Sequence, residues 1–275
     1  MPYKTILVHV DHSSHAGARI ALAAQLALEH GAHLIGAAML GLSRVVDADA
    51  ALDLASTLMA AQLARMGEQA REALARFEEI AARHGVRSLE ARLVEDDTQS
   101  GLTCQARYAD LVILSQFDPG DAAARPSAGL AEHVLMGAAR PLLVVPHAAS
   151  VTPPRRVLVA WNGSRACTRA LADALPLLLH AEHVTLAQVN PPPESEAARL
   201  EVARYLRRHG IGAVDHAPAR AGHAVGQHLL HLAARHGCDL LVCGGHGHTR
   251  LRELVLGSVT DRLLKAATLP LLMSH

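Results

Sequence analysis

Short apolar runs alternate along the whole chain with longer segments in which Ala and Leu recur at helical spacing. The runs are rich in Val, Ile and Leu, as is typical of strands that are buried on both faces of a sheet. The segments between them have the 3.6-residue period of amphipathic helices. This alternation predicts βαβ units and therefore an α/β fold with parallel sheets.

Within residues 1–148 the pattern predicts five strands and four helical segments. The strands are predicted at 4–10, 33–39, 89–95, 111–116 and 142–146. The helices are predicted at 14–30, about 45–85, 98–108 and 129–139, and the second of these is either one long helix or two.

Residues 155–275 show the same order of elements. The strands are predicted at 156–161, 183–189, 212–217, 239–244 and 270–273. The helices are predicted at 164–179, 194–209, 222–236 and 258–267.

The two parts also resemble each other in sequence, which indicates a duplicated domain. Residues 3–11 resemble 155–162, 109–114 resemble 238–243, and 140–145 resemble 269–273. The first match has an offset of 151 residues and the other two have an offset of 129, so the second copy is 22 residues shorter in its middle. We therefore predict two domains, at 1–148 and 155–275, joined by a linker that contains Pro153 and Pro154.

The net charge and the hydropathy of the chain argue against two classes of function, nucleic-acid binding and membrane association. The chain has 26 Lys and Arg residues and 26 Asp and Glu residues, so it lacks the net positive charge that is typical of nucleic-acid-binding proteins. No apolar stretch approaches the roughly 20 residues of a membrane-spanning helix, and the apolar run at 6–10 is too short for a signal peptide. We expect a cytoplasmic protein that binds neither nucleic acid nor membranes.

Three glycines at a fixed spacing follow the fourth predicted strand of the second copy. Gly244 and Gly247 are separated by nine residues from Gly257 and Ser258. Ligands of open α/β sheets bind at the carboxyl ends of the strands, where glycine lets the backbone approach a phosphate closely. Ser258, Val259 and Thr260 would form the first turn of a helix, whose free amides and positive dipole end favour an anion. The spacing therefore predicts a polyphosphate site.

This spacing resembles the ATP-binding signature of the universal stress protein family, and residues 157–164 resemble the first strand and turn of that family. The resemblance covers both copies, but the complete glycine spacing occurs only in the second. It implies two Rossmann-like domains in tandem, each with a five-stranded parallel sheet, and ATP as the ligand, with Mg²⁺ left open. The nucleoside is expected to lie against Ala160, Trp161, Asn162, Val189 and Cys243.

Three residues near this site carry open questions. The family commonly has Asp where this chain has Asn162, and Asn keeps a hydrogen-bonding oxygen but loses the charge. Trp161 either stacks on the base, blocks the pocket, or serves only in packing. His246 lies between the first two glycines, where it either contacts a phosphate or a divalent ion or is simply exposed.

The first copy departs from the signature. The offset of 129 places Ser115 and Asp118 at the first two glycine positions, and Ala128 and Gly129 at the Gly-Ser position. A carboxylate that faces phosphates repels them. We therefore predict that the first copy does not bind a nucleotide, although it keeps Asp11 on its first strand.

The 19 histidines raise the question of a metal site. His228 and His231 lie one helical turn apart, but two histidines are too few for a closed tetrahedral zinc site. In the first copy, a cluster after the first strand could bind a metal together with Cys104 or His133, or it could be a solvated loop. The cluster consists of His9, Asp11, His12 and His15. We predict no metal site.

Two other functions compete with nucleotide-dependent regulation. The chain could be an ATP-using enzyme of related fold, either a slow ATPase or an adenylating enzyme, although it lacks the phosphate loop of P-loop enzymes and the nucleophile elbow of hydrolases. It could also be a stress-response scaffold without ligand, if Trp161 fills the pocket. We predict an ATP-binding regulatory protein and no catalytic residues.

The assembly follows from the last strand of each copy. The runs Leu142–Val145 and Leu271–Met273 are short and apolar, and a free apolar edge strand invites aggregation. We expect the two runs to pair with each other within one chain. Whole chains are then expected to form a homodimer, with residues 50–82 as the candidate interface.

Overall fold

The computed structural model of the chain describes residues 2–41, 53–147, 152–190, 195–212, 214–220, 224–245 and 258–275. Its contacts divide it into two compact units. The first unit is Tyr3–Ala138 and the second unit contains Ala139–His275.

The first unit contains a parallel sheet in the order β3-β2-β1-β4. Its strands are β1 (Thr5–His9), β2 (His33–Met39), β3 (Leu89–Val94) and β4 (Leu111–Ser115). Its helices are α1 (Ala16–His30), α2 (Asp53–Arg83), α3 (Thr98–Ala106) and α4 (Leu130–Gly137), with a 3₁₀ helix at Ala122–Ser127.

The second unit contains a mixed sheet in the order β5-β10-β9-β6-β7-β8. Its strands are β5 (Leu142–Val145), β6 (Arg156–Ala160), β7 (His183–Val189), β8 (Val214–Ala219), β9 (Leu240–Gly244) and β10 (Leu271–Ser274). Its helices are α5 (Arg165–Leu178), α6 (Ser195–Arg208), α7 (Val225–Arg235) and α8 (Ser258–Ala266). All neighbouring strands run parallel except β5 and β10.

The predicted α/β fold with mainly parallel sheets is confirmed. The first strand of each copy, β1 or β6, is buried on both faces, as its apolar run predicted. Leu7 of β1 and Leu158 of β6, for example, are fully buried. Small residues let helices approach the sheet. A Cβ on Gly36 of β2 would lie 2.6 Å from the ring of Phe77, so α2 packs directly on this glycine.

Three elements differ from the sequence prediction. From Asp53 onwards α2 is one helix, while residues 45–52 of the predicted segment lie outside the described residues. The 3₁₀ helix was not predicted; Asp121 begins it by accepting a hydrogen bond from Ala123 N. Strand β8 lies later than predicted and contains Pro218. Because β8 is the edge strand of its sheet, the missing N–H of the proline is tolerated there.

The last strands of the two copies, β5 and β10, pair antiparallel, with Leu143 opposite Leu272. The expected pairing within one chain is therefore confirmed. It also explains why β5 is counted with the second unit, although it ends the first copy in sequence. The domain bounds 1–148 and 155–275 stay a prediction.

Candidate functional site

Five of the predicted site residues lie at one edge of the second unit's sheet. Strand β6 lies between β7 and β9, so the carboxyl ends of all three strands meet there. From β6, the chain continues to β7 on one side of the sheet and later to β9 on the other side. Open α/β sheets form a ligand crevice at such a switch point. The residues at this edge are Ala160, Trp161, Val189, Cys243 and Gly244.

A tight turn connects β6 to α5. Trp161 N donates to Ala187 O at 2.8 Å, which continues the β6–β7 ladder by one residue. Asn162 is exposed, and its Oδ1 accepts a hydrogen bond from Ser164 N at 3.0 Å. Ser164 in turn caps α5 by accepting from Cys167 N. The amide oxygen of Asn162 thus shapes the turn at the site, a role that needs no negative charge.

Trp161 is half-buried, so its indole is not part of the closed core. Stacking on a base and packing both fit this partial burial, and the role of Trp161 stays a prediction. Cys243 is buried, and burial raises the pKa of its thiol far above the usual range, with the neighbouring Cys167 adding to the rise. Its side chain is a neutral wall and not a nucleophile.

Gly244 has a packing role in the structure. A Cβ at this position would lie 2.6 Å from the carbonyl carbon of Ala166 and 2.6 Å from Cys167 N, both in the first turn of α5. These are backbone atoms, which cannot move aside cheaply. The glycine spacing predicts that a phosphate approaches this residue, and the described contacts show that α5 approaches it as well.

The two ends of the predicted phosphate loop are fixed in the structure. At the start, Gly245 N donates to Ser274 O of β10 at 2.8 Å, and the His275 ring lies 3.2 Å from Gly245 O. At the end, α8 begins at Ser258, with Val259 half-buried and Thr260 buried in its first turn. The predicted site residues His246, Gly247 and Gly257, and the side chain of Ser258, lie outside the described residues.

One protein-family model matches the part of the chain that contains this candidate site. Residues 154–275 match the model of the universal stress protein family. The match begins just before β6 and contains the whole candidate site.

Known proteins resemble longer parts of the chain. Universal stress protein Slr1230 from Synechocystis is 28% identical over 145 residues, which are 51% of this chain and 49% of that protein. The chain thus spans about half the length of this curated relative. A solved universal stress protein from Archaeoglobus fulgidus covers 98% of this chain, and 97% of that structure is covered, with a TM-score of 0.74 and 15% identity. This likeness shows that the fold is shared.

A smaller likeness concerns a universal stress protein of Archaeoglobus fulgidus that was solved in complex with dAMP. It is 17% identical, with a TM-score of 0.36, and covers 52% of this chain and 98% of that structure.

The first unit lies outside the universal stress protein match. At the end of β1, which corresponds to the end of β6 in the candidate site, its own side chains are bonded to each other. Arg19 of α1 is buried; its Nε donates to His9 O at 2.8 Å, its Nη1 to Ser115 Oγ at 2.6 Å, and its Nη2 to Asp11 Oδ1 at 2.9 Å. The offset of 151 places Ala170, which is also buried, at this position in the second copy. The second copy therefore has an apolar residue where the first copy has a buried cation.

Sequence reasoning missed Arg19, because an arginine in an amphipathic helix is expected at the surface. The alignment of the two copies could have indicated it, because Arg19 is aligned there with the apolar residue Ala170. Buried charge requires a partner, and Asp11 of the same copy is the nearest acidic residue before Arg19.

The ion pair sets the protonation of its neighbours. Burial by itself would raise the pKa of the Asp11 carboxyl, but Arg19, His9 and a hydrogen bond from Ser13 outweigh burial and hold this pKa well below its usual range. Burial lowers the pKa of His9 from 6.5 to about 4; Asp11 opposes this effect and Arg19 adds to it. At neutral pH the centre therefore holds a carboxylate, a guanidinium and a neutral imidazole.

The acidic residues after β4 also have protein partners. Asp118 Oδ2 lies 2.9 Å from His15 Nε2, and Asp118 Oδ1 accepts from Gly120 N at 2.8 Å. Asp121 accepts from Ser14 N at 2.7 Å and from Ser14 Oγ at 3.0 Å. Both carboxylates are thus bonded to residues just before α1, and that Asp118 faces a phosphate position stays a prediction.

The candidate metal positions were the cluster after β1 and the α7 histidines. Among the described residues, no group of three or more His, Cys, Asp or Glu side chains lies close enough to bind a metal ion. His12 Nε2 instead contacts Gln69 O of α2, and His231 is exposed. Of the helices that the structure describes, none has the length and apolar character needed to cross a membrane.

Proposed function

We propose that the chain is a tandem universal stress protein, with domains at 1–148 and 155–275, and that its second domain binds ATP or another adenine nucleotide. The observation that carries this proposal is the glycine spacing at Gly244, Gly247 and Gly257, which lies between β9 and α8 inside the family match. A glycine-rich loop followed by a helix N-terminus is a general anion-binding arrangement.

The geometry of the sheet edge supports a nucleoside beside that loop. Ala160, Val189 and Cys243 supply small or apolar walls at the ends of three adjacent strands. Trp161 is accessible for stacking on a base, because it is half-buried at the same edge. An apolar crevice with a few polar groups is the usual form of a small-molecule site.

The proposed role is regulatory. Binding of the nucleotide at the segment between β9 and α8, whose two ends are anchored on β10 and on the helix, would change a surface for a partner. We place the protein in the cytoplasm as a homodimer, and Mg²⁺ would accompany the phosphates. Analysis of the products after incubation with ATP distinguishes this role from that of a slow ATPase or an adenylating enzyme, because a regulatory protein leaves most of the ATP intact.

The test is a pair of charge-introducing variants with a matched control. Gly247→Asp and Gly257→Asp each place a carboxylate where the phosphates are proposed to lie, and we expect loss of ATP binding in titration calorimetry. Gly212→Asp is the control: it adds the same charge in the same domain, at a position where a new Cβ meets no atom within 4 Å. We expect wild-type affinity from the control.

Mass spectrometry of the purified protein for co-bound nucleotide gives an independent readout. If both loop variants bind ATP as tightly as Gly212→Asp does, the loop is not the phosphate site. If the wild-type chain binds no adenine nucleotide at all, the scaffold without ligand is the better account.

A further inference from the structure

The first unit contains a cavity of about 290 Å³ at the carboxyl ends of β1 and β2. It lies between these strand ends, the face of α2 and the 3₁₀ helix. Most of its walls are apolar. The apolar residues that line it include Ala38, Met39, Leu40, Met66, Ala70 and Ala73.

The polar groups at the cavity are already neutralised. Asp11 reaches it, but its carboxylate is paired with buried Arg19 at 2.9 Å. His9 also reaches it, buried at 3% exposure. None of the described residues that line the cavity is Lys or Arg. An anion in the cavity would therefore meet no unpaired cation among the described lining residues, because Arg19 lies behind Asp11 and is already paired with it.

The position next to the cavity is closed to phosphates for a second reason. The donors at the start of α1, Ser14 N and Ser14 Oγ, are bonded to Asp121, and His15 is bonded to Asp118. A phosphorylated ligand would have to displace two carboxylates that the fold itself supplies. Charge complementarity thus excludes nucleotides and favours a neutral ligand.

The walls suit an apolar ligand of variable shape. Met39 of β2 and Met66 of α2 both line the cavity, and methionine is the side chain that adapts most easily to different apolar surfaces. The absent side chain of Gly41 makes room for one of them, because a Cβ there would lie 3.0 Å from Met66 Cε. His12 bridges the end of β1 to the backbone of α2 at Gln69, which holds the wall in place.

We propose that this cavity binds an uncharged, mainly apolar small molecule without a phosphate group. The volume lies at the lower end of the range for ligand sites, so the ligand is small, of the size of a few fused or linked rings. A hydrogen-bonding group on it would find the Thr98 hydroxyl and the Gln69 side chain at the rim. The inference does not depend on nucleotide binding in the second copy.

The test uses the neutral fluorescent probe N-phenyl-1-naphthylamine and the full chain. We expect saturable binding of one probe per chain. Ala70→Leu fills the cavity and should weaken the binding about tenfold or more. Ala75→Leu is the matched control, because Ala75 is exposed on the same helix and does not line the cavity, and it should bind the probe as the wild type does.

A second variant protects the test against misfolding. Ala123→Leu narrows the cavity from the exposed 3₁₀ helix and should also weaken the binding, even if Ala70→Leu proves unstable in thermal denaturation. Excess ATP should leave the probe in place, and Gly247→Asp should bind it normally. The proposal is overturned if the probe does not saturate, if both cavity variants bind it like Ala75→Leu, or if ATP displaces it.

Discussion

At the scale of single residues, the two copies differ most at the end of the first strand. The first copy has His9, Asp11 and Arg19, and the second has Ala160, Asn162 and Ala170 at the matching positions. Asp11 and Asn162 make the same turn, since each accepts a hydrogen bond from the backbone N–H two residues later. The charge of Asp11 therefore pairs with the buried arginine, and the second copy has neither of these two charges.

The burial of His9 predicts how the stability of the protein depends on pH. The pKa of His9 is about 4 in the folded protein and 6.5 when unperturbed, mainly because it is buried. The unfolded chain therefore binds a proton between pH 6.5 and 4 that the folded chain does not bind, and stability falls as the pH is lowered through this window. The contribution is about 3 kcal/mol from the size of the shift.

His9→Gln should remove this contribution. We expect the free energy of unfolding of the wild type to fall relative to that of His9→Gln between pH 7 and pH 4, as measured by urea denaturation at each pH. His231→Gln, at an exposed position of α7, should follow the wild-type profile. The loss that comes from Asp11 lies at lower pH, because its folded pKa is depressed and its stabilisation disappears only as it is protonated. Parallel profiles for wild type and His9→Gln would contradict the assignment.

At the scale of elements, the contact between α5 and β9 organises the candidate site. Gly244 lets the first turn of α5 lie directly against the end of β9, and this turn also carries the Ser164 cap next to Asn162. The same strand end leads into the phosphate loop through Gly245. One helix–strand contact thus positions both the nucleoside side and the phosphate side of the proposed site.

Gly244→Ala tests that contact. The new methyl group would lie 2.6 Å from backbone atoms of Ala166 and Cys167, so α5 must shift. Overpacking of this kind costs about 1–3 kcal/mol, and we expect a loss of stability in that range together with weaker ATP binding. Gly212→Ala adds the same methyl group in open space and should not destabilise the protein. Equal stability of the two variants would show that α5 does not pack on Gly244.

Elements of this fold were more predictable than contacts. Strands β2 and β7 have the bounds that their apolar runs predicted: Gly31 and Gly41 lie two residues outside the ends of β2, and Glu182 and Asn190 flank β7. The 3₁₀ helix was missed because Ala122–Ser127 has no helical period and depends on the Asp121 cap. The burial of Arg19 was missed because it rests on Ser115, which is 96 positions away in sequence. The contact of Gly244 with α5 was missed because glycine spacing does not reveal which atoms approach it.

At the scale of the whole molecule, the two copies differ at the carboxyl ends of their central strands. The first copy has an internal ion pair, two carboxylates bonded to the residues before α1, and a mainly apolar cavity, and we predict that it binds no nucleotide. The second copy keeps the glycine spacing and an accessible sheet edge. The paired strands β5 and β10 remove the exposed edge that each copy would otherwise have. The homodimer stays a prediction that light scattering can test.

The stoichiometry of ATP binding tests this account most directly. Titration calorimetry of the full chain with ATP should give one nucleotide per chain, because the glycine spacing is complete only in the second copy and the first copy has Asp118 at its second glycine position. Gly257→Asp should reduce this value to zero. Two nucleotides per chain, or one that persists in Gly257→Asp, would contradict the assignment of the site to the second copy.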